Sequence, residues 1–361
     1  DSLCSMELRS SLEKSLGVDL PGMLIFYYPS FNAILEYAET LLGPKDAPLA
    51  SNAVSSEMRS GSEDSVSIHM LSLAARLPTS EHNLCQTSNA CDSIWSVPHI
   101  RWDADEDYKD GALIVPIRFG GFLDGIELFD IPCFGVSRSE ACWMDPHQRL
   151  LLEVSYEALH NMEGLHEKST AHRESTGVMV GIQHIEYANT LTAVGTKIES
   201  YTVTSASLSV AAGRLSFTYG LHGACAAVDT ACSSSLVATH MTCSGLAMGT
   251  LSRGLTCGID LQISRNTFSS IQRAGMLSPD GRCKTLDASA DGYVRAEACI
   301  SSVLGPLQDE SQHSSVMVRG TAVNQDGRSS ALTAPHGPSQ QQVMRMSLQS
   351  SALDAWCVQV L

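Results

Sequence analysis

The sequence predicts a layered α/β fold for its larger part, from about residue 65 onward. Three observations carry that prediction. Apolar runs of strand length alternate with longer stretches of helical period. The runs are apolar almost without interruption, as in strands covered on both faces. One of them, Ala226 to Val228, leads through small residues into a helix-like stretch, Leu236 to Met248, which is the strand-turn-helix unit of such folds.

Taken in order, residues 1–42 read as helical. Leu3, Met6, Leu8, Leu12 and Leu16 recur near helical spacing, Gly17 is placed as a C-cap, and a second helix follows Pro29 from about Ser30 to Leu42. Residues 43–64 read as a linker, because Gly43, Pro44, Pro48 and many Ser, Ala and Glu residues give low hydrophobicity without a period. About twenty flexible residues span on the order of 25 Å and hold tethered partners at millimolar effective concentration. The strand candidates beyond are Val66–Leu71, Gly177–Ile182, Ala224–Ala231, Leu255–Ile263, Ala298–Leu304 and Val316–Val323. The helix candidates are Asp145–Met162, Ser205–Leu215, Ser235–Met248 and Pro338–Leu353.

Composition narrows the function classes. The 361 residues are 43% hydrophobic and 17% charged, ordinary for globular domains and long enough for two or three of them. A net charge of −16 disfavours nonspecific binding to nucleic acid or anionic lipid. Neither a zinc-finger spacing nor an aromatic–basic RNA motif is present, so nucleic acid is not an expected partner. Twelve scattered cysteines without a C-x-x-C pair point to a reducing, cytoplasmic setting rather than a disulfide scaffold or a metal site. No apolar run has the length of a membrane span, and no signal peptide is visible. The glycine patterns of nucleotide-binding loops and of the G-x-S-x-G hydrolase elbow are also missing.

The chemically suggestive stretch is Val228-Asp229-Thr230-Ala231-Cys232-Ser233-Ser234-Ser235-Leu236. A thiol where a strand hands over to a helix sits at the positive end of the helix dipole, which favours the nucleophilic thiolate. Such a nucleophile takes up an acyl group as a thioester. Two plainer readings stand beside it: free cysteines are usually core packing, and a run of serines serves as an N-cap. Asp229, Asp280 and the Asp287–Asp291 group read as turn formers.

The stretch from Val228 to Leu236 resembles the active-site signature of the β-ketoacyl synthase (ketosynthase) domains of type I polyketide synthases. Further segments resemble the same family in the same order. They are Arg118 to Phe134, Met144 to Glu153, Arg273 to Lys284, Asp291 to Arg295 and Val323 to Ser330. The resemblance spans about 66–361. It implies a thiolase-like fold of stacked α-β-α-β-α layers with an incomplete second half, over a domain of residues 65–361. Residues 1–42 resemble the later part of an acyl carrier domain, a small truncated all-α bundle, with Asp1-Ser2-Leu3 where that family's serine motif lies. Ser2 would then carry 4'-phosphopantetheine. The order carrier, linker, ketosynthase resembles a module junction of a synthase.

The resemblance implies transfer of an acyl chain from a carrier thiol to Cys232. Decarboxylative Claisen condensation with a malonyl-type carrier thioester then follows. The backbone N–H of Cys232 is a candidate oxyanion donor. The family's decarboxylation histidines belong to motifs expected beyond Leu361, and His222, His240 and His336 are not taken as substitutes. Without those histidines the chain is expected not to condense substrates alone, and because it lacks an initiator Met it is expected to be a piece of a longer protein. Alternatives are a non-elongating ketosynthase that binds and passes acyl chains, and an iterative fatty-acid-type synthase. The intact protein is expected to pair as a homodimer and to work with other synthase domains. Ala296, Ala298 and Ile300 stand where the family carries glycines, Ser72 and Ala75 where it has Gly and Cys, and Ala224-Cys225 where it has Pro-Ser.

Overall fold

A computed structural model of the chain describes residues 12–18, 34, 66–78, 92–105, 118–162, 175–183, 186–193, 201–205, 207–307, 314, 316–328 and 334–358. By backbone contacts the chain divides into two units, Asp1–Glu63 and Asp64–Leu361. In the first, residues 12–16 are helical and Gly17 closes the turn at φ +68°, its N–H donating to the Glu13 carbonyl. Ser2, the 43–64 stretch and most of the expected second helix lie outside the described residues.

The second unit is built on one mixed sheet. Its strands are β1 (Ile68–Arg76), β4 (Thr176–Ile182), β5 (Cys225–Val228), β6 (Arg253–Asp260), β7 (Ala298–Gly305) and β8 (Met317–Val318), in the order β5-β4-β6-β7-β1-β8. Strands β5, β4 and β6 run parallel; β7 is antiparallel to both β6 and β1. Two short strands, β2 (Trp95–Ser96) and β3 (Phe119–Gly120), pair separately. The helices are α1 (Ile131–Phe134), α2 (Arg138–Trp143), α3 (Pro146–His160), α4 (Tyr187–Ala193), α5 (Thr202–Ser205), α6 (Leu208–Tyr219), α7 (Ser234–Ala247), α8 (Arg265–Arg273) and α9 (Gly337–Ser351).

The sheet has a packed helical layer on each face. On one, Leu151, Leu152 and Val154 of α3 and Ala211, Ala212 and Leu215 of α6 join Val178, Val180, Leu255, Cys257, Cys299 and Val303 in the main core. On the other lies α7, whose Cys243 and Leu246 meet Ile68, Leu251 and Leu304. Of the five layers that the resemblance implies, the described residues show these three. Every residue of β4 is buried, as its unbroken apolar run requires.

Small residues decide where α7 sits. A Cβ on Gly181 of β4 would stand 2.6 Å from the Ser235 nitrogen, and one on Gly258 of β6 would stand 2.8 Å from the Ser235 Cβ. A Cβ on Gly254 would collide with the Thr242 methyl group. The helix therefore rests directly on backbone at three points. The face it lays on the sheet carries Ala238, Thr242, Cys243, Gly245 and Leu246, all buried, while Leu236 on its first turn stays exposed.

Several expectations are corrected. The strand expected over Val316–Val323 is only Met317–Val318. After it the chain turns under α9, where the Gly320 and Thr321 carbonyls accept from the Ser347 and Ser350 hydroxyls instead of a ladder partner. The strand expected over Ala224–Ala231 ends at Val228, because the Asp229 carboxylate captures the Ala231 N–H and turns the backbone. The helix expected over Ser205–Leu215 begins at Leu208 and runs to Tyr219, where Gly220 at φ +64° closes it. Helix α8 escaped the period count: its hydrophobic face is narrow, with Phe268 and Ile271 packing near Leu277 and Trp102.

Candidate active site

The Cys232 elbow is fixed by its own small polar residues. After β5, the Ala231 N–H donates to Asp229 Oδ1 at 3.0 Å, and Thr230 N–H donates to Ser234 Oγ at 2.8 Å. Ser234 Oγ donates to the Ala231 carbonyl at 2.7 Å, and Ser233 Oγ to the Thr230 carbonyl at 2.9 Å. Ala231 is held at φ +55°, a left-handed conformation that a residue with a Cβ adopts at a cost of about 1 kcal/mol or more. The consequence is a single 3₁₀ turn, Ala231–Ser233, that carries Cys232 out of the sheet at the amino end of α7. The N-cap role weighed for the serines is not what they do: Ser233 makes no side-chain cap bond, and both hydroxyls lock the elbow.

Cys232 is exposed. It opens on a cleft of about 1170 Å³. The floor is the α7-facing side of β6 and β7, with Thr256, Gly258, Ala298 and Ile300. Ile271 of α8, Met276 and Tyr293 form a further wall. Arg295 reaches Asp260 at 3.0 Å on the same cleft, so its charge is already paired. The three buried thiols are poor competitors for an acyl group. Burial pushes Cys243 up to about 11, and it likewise raises Cys257 and Cys299. Five other described cysteines, Cys133, Cys142, Cys225, Cys283 and Cys357, are exposed but do not line the cleft.

The Met144–Glu153 motif supplies pins rather than cleft groups. Asp145 caps α3, accepting from the His147 N–H at 2.8 Å and lying 2.6 Å from His147 Nδ1. The Leu261 N–H donates to His147 Nε2 at 3.0 Å, which places the ring proton on Nδ1. Both side chains are fully buried, so α3 is tied to the end of β6. Gln148 donates to the Thr204 carbonyl at 3.0 Å and accepts from Arg214 at 2.9 Å.

Glu297 is the site residue that sequence reasoning missed. It lies between Ala296 and Ala298, both on the cleft, and its own side chain points the other way into full burial. It accepts from the Leu123 N–H at 2.7 Å, the Gln262 N–H at 2.8 Å and Arg101 Nη2 at 2.9 Å. Burial pushes its carboxyl up, and Arg101 and the two backbone donors pull against that. The available signal was Glu297 itself, a lone acid immediately before the buried strand β7, which demands a buried partner.

The other residues singled out in the sequence have different work. His240 on α7 is half-buried with Nδ1 2.8 Å from Thr321 Oγ1, and burial lowers its pKa. His336 lies 2.8 Å from Ser339 Oγ at the start of α9. Neither lines the cleft, nor does His222. Asp229, Asp280 and Asp287 accept from the backbone N–H two residues on, as turn formers do. Ser72, which stands in a family glycine position, donates to the Ala158 carbonyl at 2.6 Å and ties β1 to α3. Among the described residues no group of three or more His, Cys, Asp or Glu side chains is placed to hold a metal ion. No described helix is long and apolar enough to cross a membrane.

Among the described residues, a strand, a strained elbow with an exposed thiol and a helix seated on glycines frame one candidate nucleophile within a thiolase-like fold. Solved structures share it. The ketosynthase from module 6 of the bacillaene synthase of Bacillus subtilis 168 matches with a TM-score of 0.68 at 31% identity, over 80% of this chain and 48% of that one. An oxazolomycin ketosynthase domain of Streptomyces albus JA3453 matches with a TM-score of 0.69 at 26% identity, over 80% and 51%. The family model for the β-ketoacyl synthase N-terminal domain matches residues 70–310, and the one for the C-terminal domain matches 316–361. The chain belongs to the β-ketoacyl synthase family and is a ketosynthase region of the modular type I polyketide synthase kind. Among curated relatives, polyketide synthase GfsB of Streptomyces halstedii is 37% identical over all of this chain and 7% of its own length. The pikromycin polyketide synthase component PikAII of Streptomyces venezuelae is 36% identical, over all of this chain and 10% of its own. The chain thus spans about a tenth or less of these relatives.

Proposed function

We propose that Cys232 is the nucleophile that receives an acyl chain from a carrier thioester. Its sulfur attacks the thioester carbonyl, the tetrahedral oxyanion collapses, and the carrier thiol leaves. The observation that carries this is the exposed thiol on the strained 3₁₀ turn at the amino end of α7, opening on a cleft. The Cys232 N–H is the oxyanion donor that the turn presents. In the whole synthase, condensation with a malonyl-type extender follows, with loss of CO2 and formation of a β-ketoacyl carrier. None of the described histidines lines the cleft, so the step assigned to this chain's own residues is acyl capture. The same observation favours a second reading, a non-elongating ketosynthase that holds and passes the chain. Incubation with an acyl-pantetheine thioester, followed by peptide mass spectrometry, tests capture. One acyl group on Cys232 is expected; acylation confined to another cysteine would overturn the assignment.

The proposal extends to the first part of the chain. Residues 1–42 act as carrier, 43–64 as linker and 65–361 as ketosynthase. Support comes from polyketide synthases whose similarity covers the whole of this chain, residues 1–64 included. Ser2 is then the site for 4'-phosphopantetheine. A phosphopantetheinyl transferase with coenzyme A is expected to add that group to the chain and not to Ser2→Ala; an unchanged gain in the variant would remove Ser2 from the reading.

A second copy of the chain is the proposed partner at β5. No described strand pairs with its outer edge, and the helices packed on it expose Phe217 (88%) and Leu236 (72%). Unpaired edges flanked by apolar groups seek partners. Sedimentation is expected to give a dimer that Phe217→Asp weakens about tenfold or more. A native chain that sediments as a monomer at high concentration would rule the pairing out.

A further inference from the structure

One row of residues crosses the sheet at the amino ends of β4 and β6, far from the elbow that follows the carboxyl end of β5. It runs Thr176, Arg253, Gly305, His69 and Met317, from β4 to β8. Arg253 and Gly305 stand one step beyond the Gly254–Leu304 pair. Residues paired across strands share a face, as do residues two apart along one strand. Leu255 and Val303, two positions in from Arg253 and Gly305, are buried against α3. The row is therefore on the α3 face, and the cleft floor is on the other.

The row buries two nitrogen bases and no acid. Arg253 is 4% exposed and His69 is 8% exposed. Among the described residues neither side chain has a hydrogen-bond or ion-pair partner. Burial pushes the Arg253 guanidinium below its ordinary value, and no carboxylate pulls it back. Arg101, as well sheltered, has Glu297 for this purpose. A buried guanidinium without a counter-charge is costly, so the place calls for an anion.

Geometry brings the two groups toward each other. Gly305, between them, has no side chain. Arg253 Cγ stands 3.3 Å from where a Cβ on Gly305 would be, so the stem leans over the glycine toward β1. His69 is one further cross-strand step away, about 5 Å. Leu71, the extra residue of the β1 bulge, closes the inner side of the gap, its Cδ1 3.2 Å from the same point. The guanidinium nitrogens and His69 Nε2 keep contact with the surface, whereas His69 Nδ1 is sealed without a partner. A sealed nitrogen with no acceptor is a poor place for the ring proton, so the neutral ring carries it on Nε2. The two side chains thus offer donors, and no acceptor, on either side of Gly305.

We propose that Arg253 and His69 form a binding site for a small oxyanion, a phosphate or a carboxylate group, at the foot of the sheet. The guanidinium fork donates to two of its oxygens, and His69 Nε2 donates to one of them. The ligand supplies the negative charge that the row lacks. The site is independent of Cys232 and of acyl transfer.

Inorganic phosphate and acetate are the probes, titrated calorimetrically against the full chain in Tris chloride. One phosphate per chain is expected, bound about tenfold or more weakly by Arg253→Met and about fivefold more weakly by His69→Phe. Phosphate is also expected to raise the urea midpoint of the native chain and leave that of Arg253→Met in place. Acetate that displaces phosphate supports the site as one for carboxylates too; acetate without effect supports it as one for phosphate. Should Arg253→Met not fold, Arg253→Lys keeps the charge and loses the fork, with the same tenfold weakening expected. Failure of the native chain to bind either probe would overturn the proposal. So would phosphate binding that these Arg253 variants leave unchanged.

Discussion

Cys232→Ala is expected to abolish acyl-enzyme formation from a pantetheine thioester while leaving the unfolding transition where it was. The first half follows from the distribution of thiols. Cys243, Cys257 and Cys299 are buried, and burial raises their pKa values, so little thiolate is available from them at neutral pH. The five other exposed cysteines of the described residues lack the elbow and the cleft. The second half follows from the locking bonds of the turn. They run between Asp229, Thr230, Ala231, Ser233 and Ser234, and the Cys232 sulfur takes no part in them. Intact-mass measurement with a single equivalent of thioester reads the first, and urea unfolding the second. Undiminished labelling in the variant would remove Cys232 from the chemistry. A large loss of stability would mean that the sulfur is structural.

Glu297→Ala is expected to cost about 3–5 kcal/mol of stability, the penalty for stranding a buried charge. The Arg101 side chain is 9% exposed and Glu297 fully buried. Removal of the carboxylate leaves that guanidinium without its counter-ion and orphans the N–H groups of Leu123 and Gln262. Those donors belong to three separate segments, so the pin holds the start of β7 and with it Ala296, Ala298 and the cleft floor. Glu297→Gln keeps the shape and one acceptor and falls between native and alanine. Urea unfolding of the full chain gives the values. A loss under about 1 kcal/mol for the alanine variant would show that water replaces the carboxylate and that the pin carries no weight.

Much of this site was legible along the chain, for a local reason. The proposed nucleophile Cys232, the turn-forming Asp229 and the small residues at 233–235 lie within seven positions, so the elbow is a property of one short segment. Helix α3 and strands β4, β6 and β7 announce themselves by period and by apolar continuity, each within a single window. What the windows could not show is which distant residues meet. Gly181 and Gly258 look like ordinary strand glycines until Ser235 is found lying on both. Glu297 and Arg101 are 196 positions apart and form one ion pair. His147 reads as part of a helix motif, and only folding brings the Leu261 N–H to its ring. The Val316–Val323 stretch has strand composition, but side chains of α9 take its carbonyls.

By itself, then, the sequence determined the α/β class, the family and the thiol proposed for the chemistry, because each is written in contiguous residues with their own backbone preferences. The tertiary structure alone decided that the thiol is open, that Ile300 lies on its floor and that Glu297 holds the floor in place. Exposure and burial are set by what packs against a residue from elsewhere in the chain, and no local pattern encodes that.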